Sequence, residues 1–238
     1  MSARAEPDAG YLLHTYPYRE TSLLLDTLTR LHGRVPMIAK GAKRPRSQLR
    51  GQLVPFQPML LAWTGKGEVK TLMRAEWQRV EAPLAGQALM CGFYLNELLI
   101  RLLAREDPHE QLFDHYQEAL AQLRSSDDPA PVLRRFETTL LQELGYALVL
   151  DREVETDAAI DPSGLYTYAL DRGPLLAAEA DREELAVAGK TLLDMAAGRY
   201  DDPATLQQSK ALMRALITHY LGGRPLHSRQ LLKELQRL

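Results

Sequence analysis

Short runs with a period of two fill the first third of the chain, and a helical period takes over after it. Tyr11–Tyr16, Ser22–Thr29, Arg34–Lys40, Phe56–Thr64 and Glu68–Glu76 are apolar or β-prone runs. Turn signals part them at Pro17-Tyr18, His32-Gly33, Gly41 through Gly51 and Gly65-Lys66-Gly67. In the third run Val35, Met37 and Ala39 share one face and Ile38 and Lys40 the other, the alternation of a strand with one buried side. Five short strands in about 65 residues predict a small closed barrel. Its longest connection, between the third and fourth strands, carries Lys43, Arg44, Arg46 and Arg50.

From Pro83 onward the pattern predicts helices. Leu84 to Leu103 is apolar nearly all round, which predicts a central, buried helix. Asp107-Pro108 reads as a helix start, with Asp as N-cap and Pro at the first helical position. A third helix runs from about Pro129 to Leu144 and stops at Gly145. Asp181 and Glu184 form a capping-box-like start for a helix ending near Gly198. Asp202-Pro203 starts another that stops at Gly222-Gly223, and Ser228 caps a final short one. Between Tyr146 and Leu176 the helical period lapses. There Tyr166–Leu170 and the turn Asp171-Arg172-Gly173-Pro174 predict a small irregular or hairpin insertion over about 147–176. The predicted class is α+β in two domains, a β-barrel over 1–80 and a mostly α-helical domain over 81–238.

Composition sets limits on function. Hydrophobic residues make up 45% of the 238 and charged residues 25%, as in a folded globular protein. No apolar run reaches the roughly 18 residues of a membrane span, and Met1–Gly10 lacks the apolar core of a signal peptide. Cys91 stands alone, so no internal disulfide and no four-cysteine zinc site is expected. The expected compartment is the cytoplasm, and no membrane partner is expected.

Charge changes the picture more. Residues 1–80 hold 13 Lys+Arg against 6 Asp+Glu, a net +7; residues 81–238 hold 16 against 25, a net −9. No acid occurs from Thr27 to Gly67, where Arg30, Arg34, Lys40, Lys43, Arg44, Arg46, Arg50 and Lys66 sit. A solvated surface usually mixes both signs, so this segment points to a polyanion, and nucleic acid fits best. Gly41, Pro45 and Gly51 break the run and argue against a membrane-surface helix. Of the aromatic residues, Phe56 and Trp63 lie in strand-like runs and read as core. Tyr16 and Tyr18 flank a turn and are the candidates for stacking on bases.

Chemistry for bond breaking is missing from the pattern. Gly189-Lys190-Thr191 lacks the glycine that a phosphate loop needs five positions earlier, where Glu184 stands. His109 and His115 are six apart rather than the four of a zinc-binding helix face. Cys91 reads as a small buried hydrophobe, and Asn96 with Glu97 as satisfied polar groups in a buried helix. No carboxylate cluster or cofactor signature stands out, so no catalytic residue, metal or cofactor is expected.

Several motifs fall in a familiar order. Tyr16-Pro17-Tyr18-Arg19-Glu20-Thr21-Ser22, His32-Gly33-Arg34, Lys40-Gly41-Ala42-Lys43-Arg44-Pro45 and Pro55-Phe56-Gln57-Pro58 come first. Gly92-Phe93-Tyr94-Leu95-Asn96-Glu97-Leu98, Phe136-Glu137, Leu144-Gly145-Tyr146 and Arg224-Pro225-Leu226-His227-Ser228-Arg229 follow. This ordered set resembles the RecO family of bacterial recombinational-repair proteins over nearly the whole chain. The resemblance implies an N-terminal OB-fold barrel and a helical domain. It further implies a protein, not an enzyme, that binds single- and double-stranded DNA and anneals complementary strands. With RecR, and possibly RecF, such a protein promotes loading of RecA onto DNA coated by the single-strand-binding protein SSB, whose acidic C-terminal tail it also binds. Some members carry a four-cysteine zinc module, but the matching stretch, about Val149 to Leu176, holds no cysteine.

These readings give residues to test. Arg19, Arg34, Lys40, Lys43, Arg44, Arg46 and Arg50, with Tyr16 and Tyr18, are the expected DNA contacts. A tail site needs an arginine beside apolar residues, which Leu133, Arg134, Arg135 and Phe136 offer, as does Arg101 beside Leu98 and Leu102. Two rivals remain open. A repair nuclease would need clustered carboxylates, and a sequence-specific regulator would need a basic recognition helix.

Overall fold

A computed structural model describes residues 6–146, 148–177 and 185–230. Five strands open the chain: β1 (Asp8–Tyr18), β2 (Ser22–Thr29), β3 (Gly33–Ala39), β4 (Met59–Thr64) and β5 (Lys70–Trp77). They close into a barrel in the order β1-β2-β3-β5-β4. Every pairing is antiparallel except β3 with β5, where Met37 meets Lys70 and Ile38 meets Thr71 in parallel. Alternation fills the interior: Leu12, Leu25, Val35, Met37, Met59, Leu61, Trp63 and Leu72 point inward and are buried together. This is the five-stranded Greek-key barrel of an OB-fold.

Helices α1 (Gly86–Leu102), α2 (Glu110–Ser125) and α3 (Ala130–Glu143) follow. Then comes a three-stranded sheet in the order β7-β6-β8, built from β6 (Leu165–Ala169), β7 (Gly173–Leu176) and β8 (Ala186–Ala188). Helices α4 (Gly189–Ala196) and α5 (Pro203–Tyr220) come last, before a helical stretch that starts at His227. The predicted second helix starts at Glu110, two residues later than the Pro108 start expected, and Asp107 turns instead toward the His109 ring. The helix expected from Asp181 is corrected too. Asp181 and Glu184 lie outside the described residues, and β8 occupies 186–188, so the helix begins only at Gly189.

Contacts divide the chain into two compact units. One joins the segment up to Ser125 with the segment from Leu226, and the other is Ser126–Pro225. The first unit carries α1 and α2 with the barrel, whereas the compositional break lies near residue 80. Buried polar groups account for that union. The Asn96 Nδ2 donates to the Leu13 carbonyl on β1 at 2.8 Å, and its Oδ1 accepts from the Tyr116 hydroxyl on α2 at 2.6 Å. The Tyr11 ring of β1 meets Tyr116 edge-on at 5.2 Å and Phe113 at 5.6 Å. Arg30, after β2, pairs with Glu110 and Asp114 of α2.

Glu97, the next residue on α1, takes up the returning segment. Its carboxylate accepts from the backbone N–H of His227 (2.9 Å), the N–H of Ser228 (2.8 Å) and the Ser228 hydroxyl (2.7 Å). Ser228 therefore anchors its helix by donating to Glu97. Arg229 donates to the Tyr94 hydroxyl at 3.0 Å and lies over its ring. Burial pushes the Glu97 carboxyl up, but the Ser228 and His227 donors and Arg101 outweigh it, so its pKa lies below the ordinary value. Glu97→Ala leaves three donors without their acceptor and is expected to cost about 2 kcal/mol in urea unfolding at pH 7. A group with a depressed folded pKa stabilises above its unfolded value, about 4.3, and loses that contribution as pH falls through the folded pKa. The stability gap between wild type and Glu97→Gln is therefore expected at pH 7 and should shrink below about pH 4. A gap that stays constant with pH would contradict the assigned charge.

Candidate nucleic-acid interface

One end of the barrel gathers the basic residues. The β1–β2 hairpin pairs Tyr18 with Ser22, which leaves Arg19, Glu20 and Thr21 in a tight turn. Arg19 sits there at a φ of 51°, a left-handed conformation rare for a side chain with a Cβ. Its guanidinium lies 5.3 Å from the centre of the Tyr18 ring. Gly41, at a φ of 68°, turns the chain out of β3 and into the basic loop.

That loop is tethered rather than loose. The Ala42 side chain is buried in the barrel core, and Leu49 and Leu53 pack against the same core. The Lys43 N–H donates to the Thr21 carbonyl at 2.9 Å, and the Gly41 N–H to the Ser22 hydroxyl at 3.4 Å. Successive turns, Arg44 N–H to Gly41 O and Ser47 N–H to Arg44 O, lead into a single 3-10 turn at Gln48–Gly51. The apolar anchors face the core, so the charged residues between them face water: Lys40, Lys43, Arg44, Arg46 and Arg50 are all exposed.

Tyr18, Arg19, Lys40 and Arg44, with Ile38 and Thr71, line an open groove of about 740 Å³ between the hairpin, the end of β3 and the loop. Glu20 is its one carboxylate. Among the described residues no carboxylate comes within 4.0 Å of Arg19, Lys40, Lys43, Arg44, Arg46 or Arg50. Other basic residues of the barrel do have partners. Lys70 pairs with Glu106 at 2.6 Å, Arg74 with Glu76, Arg79 with Glu81 and Arg30 with two α2 acids. The groove thus concentrates uncompensated positive charge beside an aromatic ring and an aliphatic strip.

Two of the expected contacts stand elsewhere. Arg34 is half-buried: it donates to the Ile100 carbonyl at 2.6 Å and lies 3.8 Å from Asp26. Burial pushes its pKa down, with Asp26 opposing. It therefore braces β3 against α1 and is not part of the open group. Tyr16 is exposed on the same strand face as Tyr18, two residues away, and its ring meets His14 edge-on at 4.5 Å. Burial and Asp26 push its phenol pKa up. Trp63 is buried on its strand as its run predicts; Phe56 is buried too, but in a turn before β4 at a φ of 65° and not on a strand. Ile38 and Thr71 were not singled out by the sequence. They meet through the parallel β3–β5 pairing, a non-local contact that period and charge do not reveal.

The residues expected to hold an acidic tail do not form one surface. Consecutive helical positions point about 100° apart. Arg134 is buried in a 2.6 Å pair with Glu137, Phe136 is buried in the core and Leu133 is half-buried. Only Arg135 is exposed, donating to the Gly198 carbonyl at 3.1 Å and lying over the Tyr200 ring. Arg101 is half-buried, 3.4 Å from Glu97.

The decoys have structural explanations. Gly189 opens a helix, but its first N–H groups are already taken. Its N–H donates to Gly164 O and that of Lys190 to Pro162 O. The Lys190 ammonium pairs with Asp194 and Asp202, and a Cβ at Gly189 would lie 1.9 Å from the Asp161 oxygen. Cys91 is buried. Among the described residues no group of three or more His, Cys, Asp or Glu side chains is placed to hold a metal ion, and no helix is long and apolar enough to cross a membrane.

Comparison with known proteins agrees with the barrel and the helical part alike. Residues 1–80 match the family described as Recombination protein O N terminal, and residues 84–230 the family described as Recombination protein O C terminal. A protein named DNA repair protein RecO from Nitrosospira multiformis is 55% identical over 236 residues, covering 99% of this chain and 98% of its own length. One of the same name from Aromatoleum aromaticum is 55% identical over 235 residues, again 99% of this chain and 98% of its own. With both halves of the family matched in order and such identity over its full length, this chain belongs to the RecO family of DNA repair proteins.

Proposed function

We propose that this chain is a recombination mediator whose barrel end binds DNA and anneals complementary strands. The observation that carries the reading is the group of six uncompensated cations at the basic loop and hairpin, beside Tyr18. Two strands repel through their phosphates. A basic surface that holds one strand while a second approaches lowers that repulsion, and base pairing then supplies the specificity. Tyr18, and Tyr16 beyond it on the same strand face, offer rings on which unpaired bases can stack without sequence preference. The role needs no bond cleavage, because base pairing supplies the driving force.

Membership of the family supports the further steps. In this reading the protein acts with RecR, and possibly RecF, to promote RecA loading onto SSB-coated DNA. It works in the cytoplasm, in association with the nucleoid. The SSB tail contacts the helical part near Arg135, the exposed member of its group. Arg134 lies below it and keeps a buried Nη1 without an acceptor among the described residues.

The triple change Lys43→Glu, Arg44→Glu and Arg46→Glu is expected to weaken single-stranded DNA binding by more than tenfold, about 1.4 kcal/mol, with an unchanged circular dichroism spectrum. Unchanged affinity at low salt would remove the loop from the interface. If about five phosphates are neutralised, the logarithm of the affinity should fall against that of salt with a slope of about −3.5 on single strands. The triple variant should give a shallower slope. For the tail, Arg135→Glu is the informative variant, because Arg134→Glu would set two carboxylates together in the core. Loss of SSB-tail peptide binding in fluorescence anisotropy, with DNA affinity kept, is the expected outcome; full retention would place the tail elsewhere.

A further inference from the structure

Four outward-facing side chains stand level with one another across the barrel wall. Tyr16 on β1 pairs with Leu24 on β2, Leu24 with Ile38 on β3, and Ile38 with Thr71 on β5. Side chains alternate along a strand, and the neighbouring Leu25, Met37, Ala39 and Leu72 fill the barrel core, so this row faces out. Tyr16 is exposed, and Leu24, Ile38 and Thr71 are half-buried. The row carries no charge. Ile38 and Thr71 line the groove beside the basic loop, and Leu24 and Tyr16 extend the same row beyond it. With strands about 4.8 Å apart the strip is about 14 Å long, which matches about four stacked nucleotides at about 3.4 Å each.

Charge on either side of the strip sets how a strand lies on it. On the loop side stand Arg19, Lys40 and Arg44, exposed and without an ion pair among the described residues. On the other side His14 stands opposite Asp26, and the Arg34 guanidinium is already taken by Asp26 and the Ile100 carbonyl. Phosphates therefore favour the loop side. Two residues along a strand cover about 6.7 Å, so bases that reach inward from a phosphate at Lys40 come to lie over Ile38 and Leu24. An apolar strip favours the flat faces of unpaired bases, which leave water on contact. Paired bases differ. Stacked in a duplex, they turn their faces to one another and offer a protein only phosphates and groove edges. Pairing thus removes the contact with the strip and leaves the phosphate contacts in place.

We propose that Leu24, Ile38 and Thr71, with Tyr16, form a base-binding strip that selects unpaired strands, so that annealing itself loosens the barrel's hold on its product. The inference rests on the DNA binding proposed for the barrel end, and it assigns three residues beyond the tyrosines. The probes are a fluorescein-labelled oligo(dT), an abasic deoxyribose-phosphate oligomer of the same length, and the oligo(dT)–oligo(dA) duplex, each titrated with the full chain. Oligo(dT) is expected to bind about tenfold tighter than the abasic oligomer at equal salt. Leu24→Thr with Ile38→Thr keeps residues that suit a strand. It should narrow that gap several-fold while affinity for the abasic oligomer and for the duplex stays as in wild type. The salt slope should stay too, because no phosphate contact is touched. Ile38→Tyr, which adds a ring to the strip, should widen the gap. The triple loop variant should weaken all three probes and flatten the slope, so failure of the loop shows in its own variant and failure of the strip in the other two. Equal binding of oligo(dT) and the abasic oligomer would overturn the proposal. So would a double variant that keeps the gap, or one that loses single strand and duplex alike with an unchanged circular dichroism spectrum. Should the double variant not fold, Ile38→Tyr decides alone, and a gap that fails to widen overturns the strip.

Discussion

Burial of Ala42 in the barrel core constrains the loop that carries four of the six uncompensated cations. Ala42 lies in the barrel core between exposed Lys40 on one side and Lys43 and Arg44 on the other. Without that anchor the loop from Gly41 to Gly51 would be a charged tether free to find the acids of its own chain. With it, and with the Lys43 amide bonded to Thr21, the loop folds back over the β1–β2 hairpin and brings Arg19 to the same groove. The burial of a single Ala is a small term, of the order of 1 kcal/mol. Leu49 and Leu53 pack on the same core and extend it. The charges are thus placed by apolar contacts, which salt does not screen.

That arrangement carries an electrostatic cost that the fold tolerates because it is solvated. Two unit charges 4 Å apart in water repel by only about 1 kcal/mol, and salt reduces this further. The surrounding pattern shows the alternative. Wherever an acid is within reach, at Glu76, Glu81, Glu106, Glu110 or Asp114, a basic residue of the barrel takes it. Lys40, Lys43, Arg44, Arg46 and Arg50 lie in the acid-free stretch from Thr27 to Gly67, and Glu20, the groove's one carboxylate, makes no ion pair with them or with Arg19 among the described residues. A polyanion would therefore meet cations that need not first break internal pairs.

Most of the barrel was legible because its strands are half-buried and alternate. The run Arg34–Lys40 gave the inward set Val35, Met37 and Ala39 and missed the strand bounds by one residue at each end. Two of the misses turn on contacts distant in sequence, and one on a local pair three positions apart. Arg34 reads as one more cation in a basic run, and only the approach of the Ile100 carbonyl, 66 positions on, makes it a brace. Arg134 and Arg135 are adjacent and alike in sequence, yet a partner at Glu137 draws one inside and leaves the other out. The segment before Gly189 illustrates the same limit. Ala186, Val187 and Ala188 suit a helix by composition, but β6 offers Val187 a ladder position opposite Tyr166, and the strand forms.

The centre of α1 shows how one helix can serve two neighbours without compromise. Asn96 and Glu97 are consecutive, so they leave the helix about 100° apart. The neutral amide goes where water is excluded, between the Leu13 carbonyl and the Tyr116 hydroxyl, and both its polar ends find partners. The carboxylate goes to the half-exposed side, where three donors from His227 and Ser228 compensate its partial burial. Exchanging the two would bury a charge beside a carbonyl, a repulsive pairing, and leave the helix start at His227 with a weaker acceptor. Their order therefore couples β1 to the returning chain end through one turn of helix. It also explains why two motifs 130 positions apart, around Glu97 and around Ser228, belong to a single contact.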